Sequence, residues 1–246
     1  MTNTMGHAPR DQIDFSNADL FFQGYLRGWS EDRFYRLRSG RAQEHDITAM
    51  MCALQGPAGD AAIEFLLARA GIPMAEHSIG RYEFRSGGDL DGLRDDPETG
   101  KPRARIIPDV FVSFVPNDGP SRLVVAVEVK KDADVNYIDC PAGVHASYSN
   151  QVICYPHGCW LPPHAATVDI RYVWLARARD ITPDLFPRHA LTGDPEIDAR
   201  WQATPEAARW QAESAPLWRC GALEEFALAV ESHAPLMSRA VLDWLG

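Results

Sequence analysis

Three side chains in the middle of the chain, Asp109, Glu128 and Lys130, have the types and the spacing to do chemistry together. They belong to two segments rich in Val, Ile and Phe, residues 106–115 and 122–131, whose composition predicts β-strands. An acid on each strand and an amine two residues beyond the second acid would form one small site. Such a set can hold a divalent metal ion with an anion beside it.

The turn between the two segments sets their register. Residues 117–119 are Asn-Asp-Gly, a strong short-range signal for a β-hairpin. A turn centred on the last two of these residues places Asp109 directly opposite Glu128. Lys130 shares the face of Glu128, because side chains two residues apart on a strand point the same way.

The surroundings of the two acids make their pairing costly without a counter-charge. Residues 123–129 form an almost continuous apolar run, which is typical of a strand buried on both faces. Buried carboxylates of like sign need a cation, a shared proton or water. A divalent metal ion would satisfy both acids, and Lys130 could serve the anion that the metal holds. The alternative is a salt-bridged hairpin without a function.

The pattern Pro108-Asp109 followed by Glu128-Val129-Lys130 resembles the signature of the PD-(D/E)xK nuclease superfamily. The resemblance implies an α/β protein with a restriction-endonuclease-like core, in which a mixed central sheet of at least four strands is flanked by helices. Extra helices are expected at both termini. Lysine supplies only three of the 24 basic residues, so its place beside a buried acid supports the resemblance.

The same resemblance implies a metal-dependent nuclease that hydrolyses phosphodiester bonds of DNA, with RNA as a second substrate class. Restriction, phage defence or repair would be its role, and the sequence does not choose among them. One or two Mg²⁺ or Mn²⁺ ions would be held by Asp109, Glu128, the carbonyl of Val129 and Glu64. Lys130 would orient or help to deprotonate the attacking water.

Glu64 enters this set through its place in the chain. It lies in a predicted helix, residues 60–70, before the core strands, where this family often carries an additional acid. Glu44, on the preceding predicted helix at residues 43–55, is the second choice. The alternative for Glu64 is a surface glutamate on an amphipathic helix.

Gln151 and Tyr155 are four residues apart at the end of a predicted helix, residues 144–154, and so share one face. This pair resembles the Gln-x-x-x-Tyr motif of the RecB-like branch, where it helps to position nucleic acid. Helix packing explains the same spacing. His45 is the candidate for the upstream histidine motif of that branch.

Two further clusters have a functional and a plain interpretation. Arg36 and Arg38 belong to the basic and aromatic segment 15–41, which predicts either a phosphate-contacting surface or a helical arm with a solvated arginine face. The other cluster matches no regular zinc pattern, and a buried cysteine with loop histidines explains it better; its members are Cys154, His157, Cys159 and His164.

A single domain is expected from the length of 246 residues. Its parts are an N-terminal helical arm (1–47), a nuclease-like α/β core (48–180) and a C-terminal helical layer (181–246). Residues 74–84 and 169–177 are predicted to be further core strands. Tryptophans concentrated in the C-terminal layer predict packing against the core or a homodimer interface.

The net charge of −10 argues against nonspecific affinity for nucleic acid, so a nuclease would need its positive charge to be local. An odd cysteine count of five, no apolar run of membrane length and no signal-peptide pattern predict a cytoplasmic protein without a membrane partner. Activation by a protein or small molecule stays open. The alternatives are a catalytically silent nuclease-fold protein that binds nucleic acid or assembles, and an unrelated α/β protein that binds a small ligand.

Overall fold

The computed structural model describes residues 24–25, 28–73, 79–86, 108–115, 117, 122–131, 168–182, 195–209, 211–212 and 215–246. Within these ranges a mixed sheet runs through the centre of the molecule. Its strands are β1 (Arg81–Ser86), β2 (Val110–Val115), β3 (Arg122–Val129), β4 (Val168–Ala176) and β5 (Trp218–Ala222). The helices are α1 (Glu31–Arg38), α2 (Glu44–Ala53), α3 (Gly56–Arg69), α4 (Pro195–Gln202), α5 (Pro205–Arg209), α6 (Leu223–Val230) and α7 (Pro235–Leu245).

The strands are neighbours in the order in which they occur along the chain. β1, β2 and β3 are antiparallel, whereas β3, β4 and β5 are parallel. The described sheet is therefore mixed and has five strands, which confirms the expected α/β class and coarse architecture.

The hairpin register predicted from the turn is confirmed. Val110 pairs with Val127 across β2 and β3, and one more step along the same register sets Asp109 opposite Glu128. The predicted position of the turn and the apolar faces of the two strands agree with this register, while residues 118–120 of the turn lie outside the described ranges.

The sheet has one face that is covered by helices in the described part of the chain. Val125, Val127 and Val129 of β3 belong to a buried apolar cluster that also includes residues of α2, α3, α6 and α7. The alternate β3 residues, including the fully buried Glu128, point to the opposite face. Glu128, with Asp109 opposite it in the register, thus belongs to the face that is not packed on these four helices, and Lys130 lies at the strand end, where the first residue of α2 also reaches.

Helix α3 begins at Gly56, earlier than the helix predicted at residues 60–70. Gly56 and Pro57 were expected to end the preceding helix, but α2 already ends at Ala53 and these two residues form the first turn of α3. Proline is well suited to the first turn, where its missing N–H would have no helical partner.

The C-terminal region is not a purely helical layer. Trp218–Ala222 forms β5, so the sheet extends beyond the boundary expected at residue 180. The sequence Trp-Arg-Cys-Gly-Ala is short and contains a glycine, so it does not show the pattern of a strand. Its place in the sheet is fixed by packing, since the Trp218 ring stacks on Tyr172 of β4 with 5.0 Å between centroids.

Helices from the two ends of the described chain contact each other. α7 packs on both α1 and α2, and Lys131, just after β3, places its amine 5.9 Å from the ring centroid of Trp244 in α7. The first strand is β1 at 81–86 rather than 74–84, and residues 74–78 lie outside the described ranges. None of the helices in the described ranges has the length and apolar character needed to cross a bilayer.

A close approach between α3 and β1 gives a test of this packing. The Tyr82 hydroxyl donates to the Gly56 carbonyl at 3.1 Å, and a β-carbon at Gly59 would overlap the Tyr82 hydroxyl and ring. We expect Gly59→Ala to destabilise the fold by about 1–3 kcal/mol, measured by urea unfolding followed by circular dichroism.

The sign of the change in the free energy of unfolding distinguishes this overlap from the ordinary effect of the substitution, because Gly→Ala inside an exposed helix stabilises by about 1 kcal/mol. In a Tyr82→Ala background the overlap is gone, so the same change should become neutral or stabilising. Stabilisation by Gly59→Ala in the otherwise unchanged protein would contradict the described packing.

Candidate functional site

Strands β2 and β3 position the three predicted residues. Asp109 directly precedes β2, Glu128 is near the end of β3, and Lys130 directly follows β3. The backbone N–H of Lys130 donates to the carbonyl of Leu175 in β4 at 2.8 Å, so the pairing with β4 continues to Lys130. The site therefore lies at the edge where the parallel strands end, a common place for ligand sites in α/β proteins.

The two predicted acids meet in this structure. Glu128 is fully buried, and the side chain of Asp109 is 24% exposed. The backbone N–H of Val129 donates to Asp109 Oδ2 at 2.8 Å, and the Asp109 and Glu128 side chains share a hydrogen bond. One carboxylate is thus held at the rim while its neighbour is held inside the protein.

The ammonium of Lys130 lies among three carboxylates. Its Nζ is 2.5 Å from Glu128 Oε1, 3.8 Å from Glu44 Oε1 and 4.0 Å from Asp109 Oδ2. Glu44 is the first residue of α2. One cation does not balance three ionised acids, so the cluster has a surplus of negative charge when all are deprotonated.

Two acids of the cluster, Asp109 and Glu44, have raised pKa values. Burial raises the pKa of Asp109, and this effect exceeds the lowering by Lys130 and by the hydrogen bonds from Val129 and Glu128. Burial also raises the pKa of Glu44. The charge of Lys130 acts to lower this pKa, and the charge of Asp109 acts to raise it further. A carboxyl group with a raised pKa at a partly exposed rim is typical of functional sites.

Lys130 shows the opposite balance between burial and charge. Burial acts to lower its pKa, but the negative charges of Glu128, Asp109 and Glu44 together raise it above the ordinary value. Lys130 is therefore a protonated, almost fully buried amine at neutral pH. It acts as a hydrogen-bond donor to the cluster.

The helical acid that reaches the cluster is Glu44, and the choice of Glu64 needs correction. Glu64 is exposed on α3, whose neighbouring Ile63, Leu66 and Leu67 are buried against the core. Adjacent helical residues point about 100° apart, so a place beside a buried residue in sequence does not bring a side chain to the sheet.

The two arginines proposed to contact substrate have different surroundings. Arg36 places Nε 2.7 Å from Asp46 Oδ2 and Nη2 2.6 Å from Asp46 Oδ1. This side chain thus ties α1 to α2, and the hydrogen bonds to Asp46 raise its pKa. Arg38 is exposed in the last turn of α1. His45 is also near this pair, with Nε2 3.3 Å from Arg36 Nη2.

Asp46 is the residue of this region that the sequence interpretation missed. Its signal was its spacing from Gln43, since an acid three residues after a helix start often accepts a hydrogen bond from the first backbone N–H. The Gln43 N–H donates to Asp46 Oδ2 at 3.0 Å. Gln151, Tyr155 and the Cys154, His157, Cys159 and His164 cluster lie outside the described residues.

The oxygen-only donors of the cluster suit Mg²⁺ or Mn²⁺. Mg²⁺ typically takes one or two carboxylates and keeps several waters, and Asp109 and Glu128 supply two such groups on one sheet face. Among the described residues no group of three or more His, Cys, Asp or Glu side chains is already arranged around a metal position.

Comparisons with known proteins do not identify a relative. No protein-family model matches the chain, and no curated protein or solved structure matches it. The resemblance to the PD-(D/E)xK superfamily therefore stays a prediction from the sequence motif, with which the hairpin register and the α/β class are compatible.

The buried ion pair gives a stability prediction with a matched control. Lys130→Ala leaves the fully buried Glu128 without its cation, and we expect a loss of about 3–5 kcal/mol in the free energy of unfolding. Lys131→Ala removes an amine near the Trp244 ring and should cost no more than about 1 kcal/mol.

Chemical denaturation of both variants would measure this difference. Glu128→Gln introduced together with Lys130→Ala should recover most of the loss, because it removes the buried charge. Equal effects of the two lysine substitutions would show that Lys130 does not stabilise Glu128.

The raised pKa of Asp109 gives a second prediction, about pH. A carboxyl group whose pKa is higher in the folded state contributes stability at low pH, and this contribution is lost as pH rises through the folded pKa. Asp109→Asn should therefore stabilise the metal-free protein at pH 7 by an amount on the order of 1 kcal/mol.

Thermal unfolding in EDTA between pH 4 and pH 8 is the measurement. The difference between the variant and the wild type should grow with pH and vanish toward acid pH, where Asp109 is protonated in both states. Lower stability of Asp109→Asn at pH 7 would mean that the ionised carboxylate is favourable, contrary to the effect of its burial.

Proposed function

We propose that this protein is a metal-dependent nuclease that hydrolyses phosphodiester bonds of DNA. The observation that carries the proposal is the meeting of Asp109, Glu128 and Lys130 on one sheet face in the order of the PD-(D/E)xK pattern. Their register was predicted from the turn, and the three carboxylates of Asp109, Glu128 and Glu44 lie around one ammonium, so a single positive charge faces three acids. Such a site gains stability from a divalent cation.

In this proposal Asp109, Glu128 and the carbonyl of Val129 would hold Mg²⁺ or Mn²⁺, and Glu44 takes the place first given to Glu64. A bound divalent ion supplies a water of lowered pKa and stabilises the charge that develops on the phosphate. The Val129 N–H keeps Asp109 oriented through its 2.8 Å hydrogen bond.

Lys130 is suited to donate rather than to accept a proton. Its pKa is raised by the surrounding acids, so its amine is charged at neutral pH. A charged amine at this place would hold a phosphate oxygen or the attacking water by a charge-assisted hydrogen bond. Deprotonation of the water then falls to another acceptor, such as a rim carboxylate or the substrate itself.

The basic segment of α1 supports a nucleic-acid substrate. Arg36 is bonded to Asp46, two residues from Glu44, so the end of α1 lies beside the acid cluster. The exposed Arg38 and Arg41 follow at that end. Local positive charge of this kind would compensate for the net charge of −10, which repels polyanions at longer range.

The second candidate is a catalytically silent protein of the same fold that binds nucleic acid or assembles with a partner. The 2.5 Å contact between Lys130 and Glu128 favours it, because an ion pair that is already satisfied has less need of a metal. Metal-dependent cleavage separates the two candidates.

Cleavage of supercoiled plasmid and linear DNA with Mg²⁺, Mn²⁺ or EDTA tests the proposal. Wild-type protein should cut with metal and not with EDTA. Asp109→Asn should reduce the rate by about 100-fold or more, since it removes a ligand charge at the reacting centre. Because Asp109→Asn is expected to be a stable protein, a loss of activity would not reflect unfolding.

The two helical glutamates supply a matched pair for this assay. Glu44→Gln should lower the cleavage rate about 10-fold, and Glu64→Gln should leave it unchanged. DNA binding without cleavage under every metal condition would support the silent candidate. Equal rates for the wild type and Asp109→Asn would rule out the assigned site.

A further inference from the structure

A buried charge network lies next to the acid cluster and takes no part in it. Asp46, in the first turn of α2, has no exposed surface. Its carboxylate accepts hydrogen bonds from Arg36 Nε and Nη2 at 2.7 and 2.6 Å, from Arg33 Nε at 3.1 Å and from the Gln43 N–H at 3.0 Å. The network joins α1, the residue before α2 and the first turn of α2.

The Asp46 carboxylate is held by several hydrogen bonds at once. Burial acts to raise the pKa of Asp46, but the hydrogen bonds from Arg36, the Gln43 backbone and Arg33 together hold it below the ordinary value. Two planar guanidinium groups with several short hydrogen bonds restrict a carboxylate in both distance and direction. The Asp46 carboxylate, and with it the first turn of α2, is therefore held in one position relative to α1.

Glu44, in contrast, has little to fix its own side chain. It is 42% exposed, and its contact with Lys130 is a 3.8 Å ion pair that is half open to solvent. Pairs of this kind are weak by themselves. As the first residue of α2, Glu44 belongs to a helix end that frays unless it is capped. Its position depends on the backbone of the first turn.

We propose that Asp46, held by Arg36, positions Glu44 for metal binding in the acid cluster. This inference rests on the proposed function. Asp46 is a positioning residue, because its carboxylate bonds to Arg33, Arg36 and the Gln43 N–H and would act on the cluster through the backbone of the first turn of α2. It fixes the first turn of α2, and the turn carries Glu44 to within reach of Lys130.

Isothermal titration of Mg²⁺ into a set of four proteins tests this. The set is the wild type, Asp46→Asn, Glu44→Gln and the double variant. Asp46→Asn should weaken Mg²⁺ binding about 10-fold, as is usual when a group that orients a ligand is removed. In the Glu44→Gln background the same change should alter the Mg²⁺ affinity by less than about 2-fold, because its effect passes through Glu44.

Two further variants separate positioning from general loosening of the fold. Arg36→Lys keeps the charge but loses the forked contact, so it should weaken Mg²⁺ binding in the same direction as Asp46→Asn. Arg69→Gln breaks another inter-helix ion pair, Arg69–Glu225 at 2.8 Å, and should leave Mg²⁺ affinity unchanged. If Asp46→Asn does not fold, the Arg36→Lys and Glu44→Gln cycle provides the same comparison.

Additive losses in the double variant would overturn the inference, since they would mean that Asp46 acts on the site without Glu44. Unchanged Mg²⁺ affinity in both Asp46→Asn and Arg36→Lys would overturn it as well. In either case the wild type would still bind Mg²⁺ and cleave DNA. Failure of the proposed function would appear in the wild type itself, as neither binding nor cleavage, and would remove the basis of both proposals.

Discussion

The contact between Lys130 and the fully buried Glu128 is the constraint around which this part of the molecule is built. A carboxylate inside a sheet is tolerated only with a cation and hydrogen bonds close to it. Lys130 supplies the cation, and Asp109 shares a hydrogen bond with Glu128. The register of the hairpin is therefore restricted by charge as well as by apolar packing, because a slip by one residue would separate the acid from its partners.

The negative charge of the cluster lowers the stability of the fold. The paired acids and Glu44 are held together by strands and by a helix start, although like charges repel. Holding like charges together lowers the stability, and burial of the apolar cluster on the opposite face of the sheet offsets this loss. A site that holds like charges together lowers the free energy of unfolding of the whole protein. A cation that binds to such a site raises this free energy again.

The sequence predicted the parts of this site that depend on local rules. The Asn-Asp-Gly signal predicted the pairing of Asp109 with Glu128, since the assumed centre of a turn determines which residues of the two strands face each other. The choice between Glu44 and Glu64 depended on how two helices rotate about their axes, which is decided by tertiary packing. Arg36 was taken for a surface group because its partner Asp46 is in another helix, ten residues away. β5 was missed because its short sequence lacks a strand pattern.

The order of elements along the chain has a consequence for synthesis. The four strands made by residue 176 present a broad apolar face, and α6 and α7, which begin at residue 223, supply part of its cover. A nascent chain that has reached the end of β4 thus exposes apolar surface that α6 and α7 would later cover. Such intermediates bind chaperones and aggregate readily. Translation that stops between these points would release a product prone to aggregation, even though every residue of the acid cluster would already be present.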